Sequence, residues 1–202
     1  KTNCFKCIKN GACELQAMAR EYGIDVPNFK SSHGDVQHEP FDAHPFLSYD
    51  PGLCIQCQRC ISTCAKATGR HALSLERNGA RVYVKVPFGE GWENSLCESC
   101  GNCAQACPTG ALTIKRRKDY REWEVKKVRT TCPHCATGCQ MDLYVKDGKI
   151  VDVQGADGPS NHNLLCVKGR SGSFDFVDCD ARIRYPLIKN KETGEFERAT
   201  WD

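Results

Sequence analysis

Cys54-Ile55-Gln56-Cys57-Gln58-Arg59-Cys60-Ile61-Ser62-Thr63-Cys64 returns further along the same chain as Cys97-Glu98-Ser99-Cys100-Gly101-Asn102-Cys103-Ala104-Gln105-Ala106-Cys107, and Pro108 follows the second copy. In each copy three thiols stand two residues apart, with a fourth three residues beyond. Three such cysteines can wrap three iron corners of a [4Fe–4S] cube from one tight loop, but the loop cannot circle the cube. The fourth thiolate must therefore come from elsewhere. In the pattern Cys-x2-Cys-x2-Cys-x3-Cys-Pro it serves the other cube. Cys54, Cys57, Cys60 and Cys107 then form one ligand set, and Cys97, Cys100, Cys103 and Cys64 the second.

Residues 46–121 are thus expected to form a ferredoxin-like domain with two [4Fe–4S] clusters. Arg81-Val82-Tyr83-Val84-Lys85-Val86 between the copies alternates like a strand, and Ala111 to Ile114 is a second short strand candidate. On the N-terminal side, Cys4-x2-Cys7-x5-Cys13 supplies three further ligands, and Leu15, Met18 and Ala19 predict a short helix over Glu14 to Tyr22 that ends at Gly23. Residues 28–45 are rich in Asn, Ser, His, Asp and Pro and read as a linker. On the C-terminal side, strand-like Trp123 to Val128 leads into Cys132-x2-Cys135-x3-Cys139, with Cys166 after a gap of twenty-six residues. These four thiols suit another cube, with a structural zinc as the rival occupant. Asp147-Gly148 between Met141–Val145 and Ile150–Val153 is a strong hairpin signal, because a type I′ turn needs positive φ at both central positions.

Sixteen of the 202 residues are cysteine, and without them little aliphatic material remains for an ordinary core. Bound clusters would compensate, since a site absent from the unfolded chain turns binding energy into folding energy. Disulfides are a poor account of cysteines so tightly grouped, and paired zinc knuckles rarely place three or four in one run. Cys179 has no local partner and reads as a packed or free thiol. The formal charge of +3 would fall to about −4 with four clusters bound, which argues against a nucleic-acid partner. The run Lys115-Arg116-Arg117-Lys118 reads as a solvated linker. No stretch approaches a membrane span. Cluster ligands without a secretory segment point to a reducing cytoplasm.

The set Cys4, Cys7 and Cys13 is one ligand short. His33, His38, His44, His71, His134 and His162 are each weak candidates to complete it, since a lone histidine in a polar linker is usually just solvated. The chain starts without methionine and stops at Trp201-Asp202, so it is expected to be a piece of a longer subunit, with the missing ligand just before Lys1.

Three motifs in this order resemble the cytoplasmic formate dehydrogenase catalytic subunits that carry a molybdenum or tungsten bis-pterin guanine dinucleotide cofactor. Cys4-x2-Cys7-x3-Gly11-x-Cys13-Glu14-Leu15-Gln16 is similar to the histidine-plus-three-cysteine module of complex I's large peripheral subunit, whose histidine lies four residues before the first cysteine. The ferredoxin repeats follow. Thr131-Cys132-Pro133-His134-Cys135-Ala136-Thr137-Gly138-Cys139 with Leu165-Cys166-Val167-Lys168-Gly169-Arg170 resembles the N-terminal cluster lobe of molybdopterin oxidoreductases, and Arg184-Tyr185-Pro186-Leu187-Ile188 through Thr200-Trp201-Asp202 looks like the entry to their catalytic domain. An iron-only hydrogenase shares only the first two modules, and complex I's subunit typically lacks two intact ferredoxin repeats. The departures, Ala65 after Cys64 and His134 and Ala136 around Cys135, touch no ligand.

The resemblance implies an α+β fold of small iron–sulfur modules: residues 1–45 a His/Cys3 module with linker, 46–121 the ferredoxin-like domain, 122–202 the molybdopterin oxidoreductase lobe. It implies four clusters relaying electrons between a formate/carbon dioxide site beyond Asp202 and a partner subunit linked to NAD(P), ferredoxin or a hydrogenase. Lys168 would lie between the last cube and a pterin as an electron relay. The alternatives are another pterin enzyme or complex I-like subunit with the same wire, and a stand-alone polyferredoxin.

Overall fold

In the computed structural model, residues 4, 7–24, 40–78, 81–85, 92–117, 119–172, 176–177 and 179–202 are described. Helix α1 (Glu14–Glu21) forms where the apolar spacing predicts it. Gly23, at φ 61°, ends it where a side chain would be strained. Gln16 ties the helix back to the cysteine loop, accepting from Gly11 N at 3.0 Å and donating to Asn10 Oδ1 at 2.8 Å. None of its residues is buried. His33 and His38 lie outside the described residues, as does most of the expected linker.

The ferredoxin-like repeats are held between two short strands, β1 (Leu47–Tyr49) and β4 (Leu112–Ile114), which pair antiparallel with Leu47 opposite Ile114 and Tyr49 opposite Leu112. Each repeat ends in a short helix, α2 (Arg59–Ser62) in the first and α3 (Asn102–Ala106) in the second. Between the copies, β2 (Ser74–Asn78) and β3 (Arg81–Lys85) make an antiparallel hairpin. The alternation of Arg81–Lys85 predicts β3. Nothing local predicts its partner, because Ser74-Leu75-Glu76-Arg77-Asn78 carries one aliphatic residue and acquires its strand by pairing. Leu47, Tyr49, Val84, Leu112 and Ile114 pack with the buried Cys60 and Cys103, so the thiols are part of the core.

The C-terminal part is a three-stranded antiparallel sheet in the order β5 (Lys126–Thr131), β6 (Gln140–Lys146), β7 (Lys149–Gly155). Asp147 and Gly148 sit at φ 51° and 75°, the positive pair that a type I′ turn demands. The first strand begins later than Trp123, which lies on a helical turn over Glu122–Glu124. Met141, Ile150, Val153 and Leu165 pack under Cys132, and Tyr120, Tyr144 and Val151 form a second small cluster. The chain finishes with the hairpin β8 (Leu187–Lys189) and β9 (Phe196–Arg198). Among the described residues no helix is long and apolar enough to cross a membrane.

Two sequence readings are overturned. His44 is not solvated but fully buried. The described part of the basic run is not a solvated linker either, because Lys115, Arg116 and Arg117 fasten neighbouring segments together. Lys115 pairs with Asp42 at 3.1 Å, Arg116 Nη1 donates to Ser171 O at 3.5 Å, and Arg117 Nη2 donates to Ile8 O at 3.1 Å. The Arg117 guanidinium also lies 4.2 Å from the Tyr120 ring centroid. Guanidinium forks satisfy carbonyls that the short elements leave unpaired. Composition alone does not reveal that role.

Candidate metal centres

The two repeats share an unusual backbone. Gln56 and Gln58 flank Cys57 at φ 58° and 61°, and Ser99 and Gly101 flank Cys100 at φ 59° and 72°. Three of these four are not glycine, and a left-handed conformation costs each of those three about 1–3 kcal/mol. Such strain, placed alike in both copies, has a purpose. Left-handed residues turn successive N–H groups toward one concavity, the kind that receives anions and iron–sulfur clusters. Gln56 N donates to Cys54 Sγ at 3.4 Å, and Cys97 Sγ takes the equivalent bond from Ser99.

Each loop opens on a pocket. One pocket is lined by Cys54, Cys57, Cys60 and Cys107, the other by Cys64, Cys97, Cys100 and Cys103. Each brings together three cysteines of one repeat with the fourth of the other. Among the described residues no three His, Cys, Asp or Glu side chains converge tightly enough for a single metal ion.

The chemistry of the donors fits a cationic core. Burial pushes the Cys60 thiol up to about 12, against a bond from Ile61 N, and the charges of Cys107, Cys54 and Cys57 add to the rise. Burial and the charges of Cys100, Cys97, Cys60 and Cys64 raise Cys103 well above its ordinary value. Four thiolates cannot stay ionised here unaided. A cationic iron–sulfur core held by each set of thiols would remove that obstacle.

The C-terminal set assembles at the tip of the β5–β6 hairpin, where Cys132 N donates to Cys139 O at 2.8 Å. Burial raises Cys139, and the charges of Cys132, Cys135 and Cys166 add to it, so these three thiols lie around that of Cys139. Cys135 is lowered by hydrogen bonds from the Thr137 side chain and amide, with a smaller contribution from Lys168. Cys135, Cys166 and Lys168 are exposed. Gly169 lets the chain pass close to the set, since a Cβ there would stand 3.3 Å from Cys132 Sγ.

At the N-terminal set, Cys7 Sγ packs against Gly110, where a Cβ would come within 2.9 Å. Arg121 Nη1 donates to Cys7 O at 2.7 Å. Neither His44 nor His134 completes this set: His44 lies beside Cys97, and His134 stacks edge-on against Phe176 at 5.7 Å. Cys179 is half-buried and in no disulfide.

Sequence reasoning misses the side chains that approach the thiols from β1. His44 Nδ1 accepts from Phe46 N and Leu47 N, both at 3.1 Å, so the ring proton sits on Nε2. That N–H faces Ser99 Oγ at 3.3 Å and Cys97 Sγ at 3.8 Å. Burial, and then Lys115, hold the His44 pKa down at about 4, which keeps the imidazole neutral. Tyr49 is buried on the other side, its hydroxyl raised by burial and then by Cys54. The only sequence signal is His44-Pro45-Phe46 just before an apolar run.

Hydrogen bonds join consecutive sets. Glu14 N, next to Cys13, donates to Pro108 O, next to Cys107, at 3.1 Å. Asn102, next to Cys103, clasps Leu165, next to Cys166, donating to its carbonyl at 3.0 Å and accepting from its amide at 3.1 Å. Gln105 does the same for Gly155, at 2.9 Å each way.

Comparison with known proteins defines the class. Residues 1–27 match the NADH-ubiquinone oxidoreductase-G iron–sulfur binding region, residues 45–113 the ferredoxin-like domain of NADH-quinone oxidoreductase subunit 3, and residues 125–175 the molybdopterin oxidoreductase Fe4S4 domain. The chain carries the iron–sulfur electron-transfer region that complex I-type large subunits and molybdopterin oxidoreductases have in common. Among individual proteins, it is 35% identical to the NADH-quinone oxidoreductase G 2 subunit of Rhizobium meliloti (strain 1021), over 99% of this chain and 23% of that protein. It is 31% identical to the NADPH-Fe(3+) oxidoreductase subunit alpha of Geobacter sulfurreducens (strain DL-1 / KN400), over 94% of this chain and 22% of that one. A Staphylococcus haemolyticus (strain JCSC1435) protein named "Putative formate dehydrogenase" is 28% identical over 98% of this chain and 24% of its own length. The chain thus spans about a quarter of the curated relatives it matches.

Proposed function

We propose that this region holds four [4Fe–4S] clusters in line and serves a formate dehydrogenase-type catalytic subunit in a reducing cytoplasm. The observation that carries the proposal is the pair of pockets, each lined by a crossed set of four cysteines. Cys54, Cys57, Cys60 and Cys107 hold one cluster, and Cys64, Cys97, Cys100 and Cys103 the second. Cys132, Cys135, Cys139 and Cys166 hold a third. Cys4, Cys7 and Cys13 hold a fourth with one ligand from outside these residues. When bound, the clusters supply one-electron carriers whose potentials follow burial and hydrogen bonds to sulfur. The protein orders them through the Glu14–Pro108 and Asn102–Leu165 contacts, which give the sequence Cys4 set, Cys54 set, Cys97 set, Cys132 set. The modules are taken as residues 1–45, 46–121 and 122–202.

Lys168, exposed next to the last set, is assigned the relay toward a molybdenum or tungsten bis-pterin held by the rest of the subunit. Formate and carbon dioxide would be its substrates, and an NAD(P)-, ferredoxin- or hydrogenase-linked subunit its electron partner. The name of the staphylococcal relative supports formate chemistry. The higher identity to a subunit of NADH-quinone oxidoreductase favours a second reading, the same wire in a complex I-like subunit. Formate-dependent dye reduction by the full-length subunit separates the two. The wire itself is tested by iron and sulfide analysis of anaerobically purified protein, with about sixteen irons expected from four cubes. A colourless or zinc-bearing protein overturns it.

A further inference from the structure

The Arg170 side chain is 1% exposed, wedged between the Cys97 and Cys132 sets. Its Nε donates to Cys100 O, and its Nη2 to Asn102 Oδ1 and Gln105 Oε1, all at 2.8 Å. Its own amide donates to Cys166 O at 3.1 Å. Every one of these acceptors is neutral. Nη1 is buried and finds no hydrogen-bond partner among the described residues. Gly101 makes the room: a Cβ there would stand 2.4 Å from Arg170 Cδ.

A staple between modules does not need a charge, and neutral donors could meet these carbonyls without the desolvation a buried guanidinium suffers. Arginine stays protonated in proteins, so the charge persists after burial. Among charged groups the Asp152 carboxylate acts on it most strongly, followed by the thiols of Cys100, Cys103 and Cys166, which belong to both ligand sets.

We propose that Arg170 is a shared counter-charge for the two clusters on either side of it, a positioning residue that raises both potentials and couples their seating. The proposal rests on the cluster assignment made above. A reduced cluster is one charge more negative than an oxidised one, so a fixed cation nearby favours reduction. At an effective dielectric of about 20, a unit charge acting over about 10 Å shifts a one-electron equilibrium by roughly an order of magnitude.

The test is an EPR-monitored redox titration of the full-length, cluster-loaded subunit and its Arg170→Gln and Arg170→Lys variants. In R170Q the reduced-to-oxidised ratio at a given potential should fall about tenfold, about 59 mV, for the Cys97 and Cys132 clusters, and stay put for the Cys4 cluster. R170K should restore most of the shift, because it keeps the charge while losing the fork. Full iron content with unmoved potentials in R170Q overturns the proposal and leaves Arg170 a staple. Should R170Q fail to assemble, R170K decides: a tenfold fall despite the retained charge refutes it, and near-native potentials support it. Failure of the cluster assignment itself would show separately, as a wild-type subunit without reducible iron.

Discussion

Replacing His44 with asparagine isolates one hydrogen bond to a cluster ligand. Asparagine Oδ1 falls close to the place of imidazole Nδ1, so it can still accept from the Phe46 and Leu47 amides that Nδ1 now caps at 3.1 Å. What disappears is the Nε2–H directed at Cys97 Sγ, 3.8 Å away, and Ser99 Oγ, 3.3 Å away. A donor to a ligand sulfur stabilises the more negative, reduced cluster, so its loss must lower the potential. A neutral hydrogen bond is worth about 1 kcal/mol, which for one electron corresponds to about 40 mV. Ser99 shares the proton, which makes this an upper figure. The assay is a redox titration of the Cys97 cluster in His44→Asn, with Ser99→Ala alongside. Removing the competing oxygen frees the proton for sulfur, so Ser99→Ala should move the potential the other way. Equal potentials in wild type and both variants, at full iron content, would refute the reasoning.

Crossed ligation predicts that Cys107→Ala abolishes the cluster of the first repeat and Cys64→Ala that of the second, each removing about four irons; loss of the cluster of the variant's own repeat in EPR would contradict it. Tyr120→Phe takes from the buried Asp152 a hydrogen bond of 2.8 Å, and urea unfolding should show a loss of about 1.5–3 kcal/mol, as expected for a bond to a charged acceptor. Gly101→Ala forces a left-handed alanine against Arg170 Cδ and should cost about 2–4 kcal/mol while loosening the contact with Leu165, read by hydrogen exchange at the Leu165 amide. Chelating the iron anaerobically should unfold residues 7–24 first, because α1 buries nothing, and unchanged proteolytic resistance there would show that the helix stands without its cluster.

The spacing of the cysteines makes the loops and the crossed lining of their two pockets legible. The Asp147-Gly148 turn is equally plain, since two positive φ angles in a row restrict the residue choice. What escapes the sequence are features decided by tertiary contact. His44 looks like one polar residue among many, and only the fold brings β1 over the second loop. Arg117 looks like part of a solvated charge run, yet its side chain is 7% exposed and its guanidinium reaches Ile8. Ser74–Asn78 has no strand pattern of its own and is extended because Arg81–Lys85 offers it a ladder. In each case the local pattern is weak, and the energy comes from a partner elsewhere in the chain.

The repeat explains how one duplicated motif can join two different neighbours. Arg59 and Asn102 occupy equivalent positions, just before the third cysteine of their copies. Arg59 pairs with Glu14 at 2.7 Å, beside Cys13, whereas Asn102 clasps the backbone of Leu165, beside Cys166. The first contact joins half-exposed charges and contributes little to stability. The second is buried, two-way and reinforced by Gln105 and Arg170. A symmetric scaffold therefore meets its two neighbours differently, and one pair of equivalent residues contributes to the difference. Exchanging them tests this directly. Arg59→Asn should leave the N-terminal module docked through Glu14 N–Pro108 O, Arg117 and Arg121, whereas Asn102→Arg places a second guanidinium beside Arg170 in a buried space and should separate the C-terminal sheet from the repeats. Limited proteolysis between residues 115 and 125 reads that separation, and a compact, protected Asn102→Arg protein would show that the junction does not depend on this clasp.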